Sequence, residues 1–130
     1  MRLLLDTHAL AWFLMDRPRL APSALATIQD GKNEVCVSAV SAWEMAVKFH
    51  LGKWPEAGPV IEGWEALLDA NQIGALPITA AHAVAAAGLD WPHRDPFDRL
   101  LVAQARAERF RLVTADPILL GFLPDALPAR

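Results

Sequence analysis

Tyrosine is absent and cysteine occurs once, at Cys36, so no internal disulfide can form and the fold must rest on packing. A single thiol suits a reducing compartment, and the chain is expected to be cytoplasmic. No apolar run reaches the roughly 18–20 residues that a membrane span requires. The opening MRLLLDTHALAW resembles a short secretory leader, but Asp6 and His8 interrupt it and no small-residue cleavage site follows. Excess positive charge is lacking too: 12 basic residues face 15 acidic ones, giving a formal net charge of −3. A global basic attraction to nucleic acid is thereby excluded, and any such binding must come from a local patch, a dimer groove or metal ions. Polar low-complexity tracts, internal repeats and interdomain linkers are missing, while 54% of residues are hydrophobic. Disorder is excluded, and residues 1–130 read as a single domain with a real core.

What is present alternates between strand and helix patterns. Arg2–Asp6 (RLLLD) is a short apolar run ended by an acid, as in a buried parallel strand, and Thr7–Met15 follows as a helix. Pro22–Asp30 reads as a second helix and Glu34–Ser38 (EVCVS) as a β-branched strand. Ser38–Leu51 forms a third helix closed by Gly52, so Gly52-Lys53-Trp54 reads as a helix stop rather than a binding loop. Lys53–Pro59 is a loop, Val60–Ala70 one helix, Ile73–Ile78 a weak strand, and Thr79–Ala87 an Ala-rich helix capped by Thr79. Asp95-Pro96 opens a further helix running to about Phe110, with Asp95 as its cap and Pro96 at its first position. Arg111–Asp116 (RLVTAD) is again a strand ended by an acid, and Pro117–Phe122 a helical turn. The alternation implies βαβ units, a central mostly parallel sheet and helices on both faces, a three-layer α/β/α sandwich.

In such sheets sites gather outside the carboxyl ends of the strands. That rule selects four acids: Asp6 and Asp116 end strands, Glu44 lies near the start of a helix after a strand, and Asp98 begins another helix. Each has a structural explanation by itself. Asp6 and Asp116 fit helix caps, Glu44 completes a Ser41-x-x-Glu44 capping-box pattern and precedes Lys48 by four, and Asp98 suits a first helical turn. Together they repel one another and raise each other's pKa. Lys48 alone, the one basic residue near by spacing, is too little to balance four carboxylates. An all-carboxylate set with waters suits the hard ions Mg²⁺ or Mn²⁺, which catalyse phosphodiester hydrolysis by activating water. His8, His50, His82 and His93 show no zinc-like spacing.

Leu4-Leu5-Asp6-Thr7-His8, Ser38-Ala39-Val40-Ser41-Ala42-Trp43-Glu44 with Lys48 and Gly52-Lys53, the stretch HRDPFDRLLVAQA from His93, and Leu112-Val113-Thr114-Ala115-Asp116 together resemble the PIN-domain family. They are similar, more narrowly, to the VapC-type toxins of bacterial toxin–antitoxin pairs. The resemblance implies Mg²⁺- or Mn²⁺-dependent endoribonuclease activity on RNA such as tRNA or rRNA, and a homodimer. It also implies a small antitoxin whose C-terminal segment lies in a hydrophobic groove and sends a basic side chain towards the acids. The family's acids fall on Asp6, Glu44, Asp98 and Asp116, and a hydroxyl position on Thr114, expected to orient metal or water. A metal-activated water would attack the phosphate in line. His8, His93, Arg94 and Arg99 are weaker expectations for substrate contact, set against packing, capping or ion pairing. The five tryptophans read mainly as core, with one or two in the partner groove. Two rivals remain. A haloacid-dehalogenase-like phosphatase would need a second Asp where His8 stands; a non-catalytic α/β binding module would use the acids only as caps.

Overall fold

The computed structural model describes all 130 residues. Five parallel strands form one sheet: β1 (Arg2–Leu5), β2 (Glu34–Ser38), β3 (Gly74–Leu76), β4 (Arg111–Thr114) and β5 (Leu127–Pro128), in the order β3-β2-β1-β4-β5. The period-two alternation of side chains splits the core between its faces. Leu3, Leu5, Val35, Val37 and Val113 point into one cluster. It is completed by α1 (Thr7–Met15), α2 (Pro22–Gln29), α4 (Gly58–Glu62), α5 (Trp64–Ala70) and Met45 of α3 (Ala39–His50). Leu4, Cys36 and Leu112 point the other way, onto α7 (Pro96–Ala107) and α8 (Pro117–Phe122), with α6 (Ala80–Ala87) packed against α7. The result is the expected α/β/α sandwich.

Several boundaries differ from the expectation. Residues 60–70 are two helices, because the chain breaks at Gly63 (φ −100°, ψ 21°). The loop 53–59 contains a 3-10 turn at Pro55–Ala57 and the start of α4. Helix α7 stops at Ala107, and Arg109 then takes a left-handed φ of 58° before β4. The edge strand β5 carries no sequence signal, being two residues with a proline.

The path of the chain creates the site. From the central β1 it moves outward to β2 and β3, then returns through α6 and α7 to β4 on the other side of β1. The crevice between β1 and β4 is therefore a topological switch point at the carboxyl edge of the sheet. No helix is long and apolar enough to cross a membrane.

Candidate active site

Asp6 follows β1 and caps α1, its Oδ1 accepting from the Ala9 N–H at 2.8 Å. Asp116 follows β4 and caps α8, accepting from the Ile118 N–H at 2.9 Å. Asp95 caps α7 through the Phe97 and Asp98 amides, at 2.9 and 3.1 Å. Three of the acids thus serve as caps, as the plainest reading of the sequence has it. Capping accounts for neither Glu44 nor Asp98. Asp6, Glu44, Asp98 and Asp116 line one pocket of about 320 Å³, together with Thr7, His8, Lys48 and Asp95.

Glu44 is held from two sides: Thr7 Oγ1 lies 2.6 Å from Oε1, and Lys48 Nζ 2.6 Å from Oε2. The Ser41-x-x-Glu44 capping box does not form. Ser38 caps α3, its Oγ accepting from the Val40 N–H, and Ser41 is buried against Thr7 at 3.0 Å. Asp98 Oδ2 meets His93 Nε2 at 2.7 Å. The donor atoms of His93, Asp95 and Asp98 all lie within 4.8 Å of one another.

Burial makes this cluster electrostatically costly. Asp6 is only 6% exposed. Desolvation pushes its carboxyl up from 3.8 to about 6, with the charges of Glu44 and Asp98 acting in the same sense. The Thr114 hydroxyl and the Ala9 amide oppose that rise without cancelling it. Asp98 is also raised, chiefly by burial, and its bond from His93 only moderates the shift. His8 is lowered by burial and then by Lys48, which favours its neutral form. A buried carboxylate raised this far lacks sufficient cationic charge around it, and the carboxylates lining this pocket are of the type a hard divalent cation takes, although of the four only Asp98 belongs to the group whose ligand atoms lie within 4.8 Å of one another.

The PIN domain family model matches residues 3–120, most of the chain. The chain belongs to the PIN-domain family. It is 34% identical over 114 residues to Ribonuclease VapC22 of Mycobacterium tuberculosis, covering 87% of this chain and 85% of that relative. The fold matches the VapBC2 complex of Rickettsia felis bound to a promoter DNA fragment, with TM-score 0.66 and 17% identity over 98% of this chain and 96% of that one. A toxin–antitoxin complex from Klebsiella pneumoniae matches at TM-score 0.60 and 14% identity, over 98% and 97% of the two chains.

In this PIN domain the weaker sequence expectations separate. Thr114 is fully buried, and its hydroxyl accepts from the Asp116 N–H at 3.0 Å, so it sets the acids rather than facing the pocket. His93 sits on Asp98, whereas Arg94 is exposed. His8 stacks on Trp54, with ring centroids 5.0 Å apart. Arg99 is diverted from both expected roles, phosphate steering and pairing with a surface acid. Its guanidinium donates to the carbonyls of Ala86, Ala87, Leu89, Trp91 and His93, fixing the loop that leads into α7. Thr7 is a site residue that the sequence pattern alone does not single out. Its signal was its position directly after a strand-ending acid, pointing to the same edge.

Proposed function

We infer that this PIN domain is a metal-dependent endoribonuclease acting as the toxin of a toxin–antitoxin pair, with residues 1–130 forming one catalytic unit. Its metal is Mg²⁺ or Mn²⁺, its partner a small antitoxin protein, its substrate a structured RNA such as tRNA or rRNA, and its compartment the cytoplasm. The observation that carries the reading is Asp6, a buried carboxylate raised to about 6 that shares one pocket with Glu44, Asp98 and Asp116. The relation to Ribonuclease VapC22 supports RNA as substrate, and the fold's likeness to toxin–antitoxin complexes supports the antitoxin. A homodimer is the working assembly. The exposed Trp43, edge-on to Phe97 at 5.0 Å, offers an apolar patch to cover.

Asp6, Glu44, Asp98 and Asp116 would hold the metal. When bound, a divalent ion supplies a Lewis acid that eases deprotonation of water and offsets charge on the phosphate. Thr7 and Lys48 fix both oxygens of Glu44. Thr114 props Asp116 and Asp6 from below, and His93 fixes Oδ2 of Asp98. The outcome is hydrolysis: water adds to phosphorus in line, and the ribose oxygen leaves and takes up a proton. No side chain becomes covalently attached.

Incubating the purified protein with total tRNA and Mn²⁺ tests this. Cleavage that disappears in EDTA and in Asp98→Asn, with an unchanged circular-dichroism spectrum, is expected. Equal cleavage by Asp98→Asn would overturn the assignment.

A further inference from the structure

Beside the acid pocket lies a larger one of about 780 Å³, and His8, Trp12 and Lys48 line both. Its wall combines aromatic rings and cations. Trp54 stacks on His8 at an interplanar angle of 15°, Trp12 leans against His8 at 6.1 Å, and Arg19 and Lys53 stand at the margin with Lys48. Trp54 arrives there by a defined turn. Gly52 takes a left-handed φ of 73°, its N–H bonds the Phe49 carbonyl, and the Lys53 N–H bonds the Lys48 carbonyl, each at 2.9 Å. This is the Schellman closure of a helix, and it folds the chain back so that residue 54 meets α1. The stretch that reads as a helix stop is therefore also a wall of the pocket.

We propose that this pocket is a nucleotide subsite, in which a base next to the scissile phosphate stacks on the His8–Trp54 pair while Lys53 and Arg19 hold the adjoining phosphate. The proposal rests on the ribonuclease reading and adds where the RNA lies. A polyanion approaching four carboxylates needs cations close by. Within the acid pocket the only permanent cation is Lys48, already bonded to Glu44 at 2.6 Å. The adjoining pocket adds Arg19 and Lys53 to it, against Asp16 and Glu56, with Asp16 3.8 Å from Arg19. Cations beside flat rings suit an unstacked nucleotide, since every base presents a π-face and every linkage a negative charge.

The test uses the full-length protein with Mn²⁺ and a short fluorescent RNA that it cuts, with kcat and KM measured for matched oligonucleotides carrying one abasic position on either side of the cut. One abasic position is expected to raise KM roughly tenfold for the wild type. Trp54→Leu should raise KM similarly on the intact RNA and abolish the abasic penalty, whereas Trp54→Phe should restore both. Lys53→Gln should raise KM and lower the salt slope by about one. Should Trp54→Leu fold poorly, Lys53→Gln and the abasic series on wild type decide the matter. Wild-type KM values in both variants, with no abasic position mattering, would overturn the subsite while leaving the nuclease intact, and would give the pocket to a peptide partner. Absence of any RNA cleavage by the wild type would instead remove the ribonuclease reading, and this proposal with it.

Discussion

Thr7 Oγ1 stands 2.6 Å from Glu44 Oε1, so the first residue of α1 is tied to the middle of α3. A carboxylate only accepts, so Thr7 spends its single hydroxyl proton on Glu44, and the Ser41 hydroxyl 3.0 Å away donates to Thr7. Thr7 is 2% exposed, and losing its hydroxyl leaves Glu44 Oε1 and the Ser41 hydroxyl without this partner. Thr7→Val, which keeps the shape, should cost about 1–3 kcal/mol in urea unfolding. It should also weaken Mn²⁺ binding by roughly 10–100-fold in calorimetry, as loss of groups that orient ligands does. Thr7→Ser should recover most of both. Unchanged Mn²⁺ affinity in Thr7→Val would detach this bond from the site.

Asp6 should make stability and activity move in opposite directions. Its carboxyl titrates at about 6 in the folded chain against 3.8 for the free group, so the fold binds this proton more tightly than the unfolded chain does. Its contribution to stability is therefore fully present below pH 3.8 and fades as pH rises through 6. Above that it stands as a cost of about 3 kcal/mol, at roughly 1.4 kcal/mol per unit. Asp6→Asn keeps an oxygen for the Ala9 amide and removes the charge. In EDTA at pH 7.5 it should melt several degrees higher than wild type, with the gap shrinking at pH 4.5. Mn²⁺ should stabilise the wild type and leave the inactive variant unmoved. A lower melting temperature for Asp6→Asn in EDTA would contradict the charge argument.

Arg99 should behave as a keystone of the loop before α7. Lysine has three donors and no planar fork, so Arg99→Lys cannot reach five carbonyls spread from Ala86 to His93. We expect a loss of about 2 kcal/mol or more, and new protease cleavage within residues 86–93. RNA cleavage should fall as well, because the loop delivers His93 to Asp98. A protease-resistant, fully active Arg99→Lys would show that the loop holds itself.

Trp43 is 53% exposed beside Phe97, and both flank site acids. If this patch is covered in a homodimer, Trp43→Asp should run at monomer mass in sedimentation at concentrations where the wild type sediments as a dimer, with its circular dichroism unchanged. Identical masses for the two proteins would move the interface elsewhere.

The acids were legible in the sequence because a single rule finds them: helices begin where parallel strands end, and Asp6 and Asp116 sit at those junctions. Strand β2 and helices α1 and α8 matched their expected limits, since a β-branched run and a proline start are local signals. Contacts between distant segments were not legible. Nothing local tells that Trp54 stacks on His8, that His93 turns to Asp98, or that Arg99 spends itself on carbonyls. Gly63 carries no stop signal of its own, because a lone glycine weakens a helix without always ending it. The Ser41 capping pattern misled because Ser38, three residues earlier, already held the cap.

β1 precedes the other four strands of the sheet and lies at its centre, pairing with β2 on one side and with β4 on the other through Leu3–Arg111, Leu4–Leu112 and Leu5–Val113. During synthesis Asp6 emerges well before Asp116, and the two reach the same pocket only when β4 docks. So long a separation carries a loop-closure cost that slows folding. A nascent chain that has not yet reached β4 thus holds at most part of the carboxylate set, and the capacity to cut RNA waits for that strand.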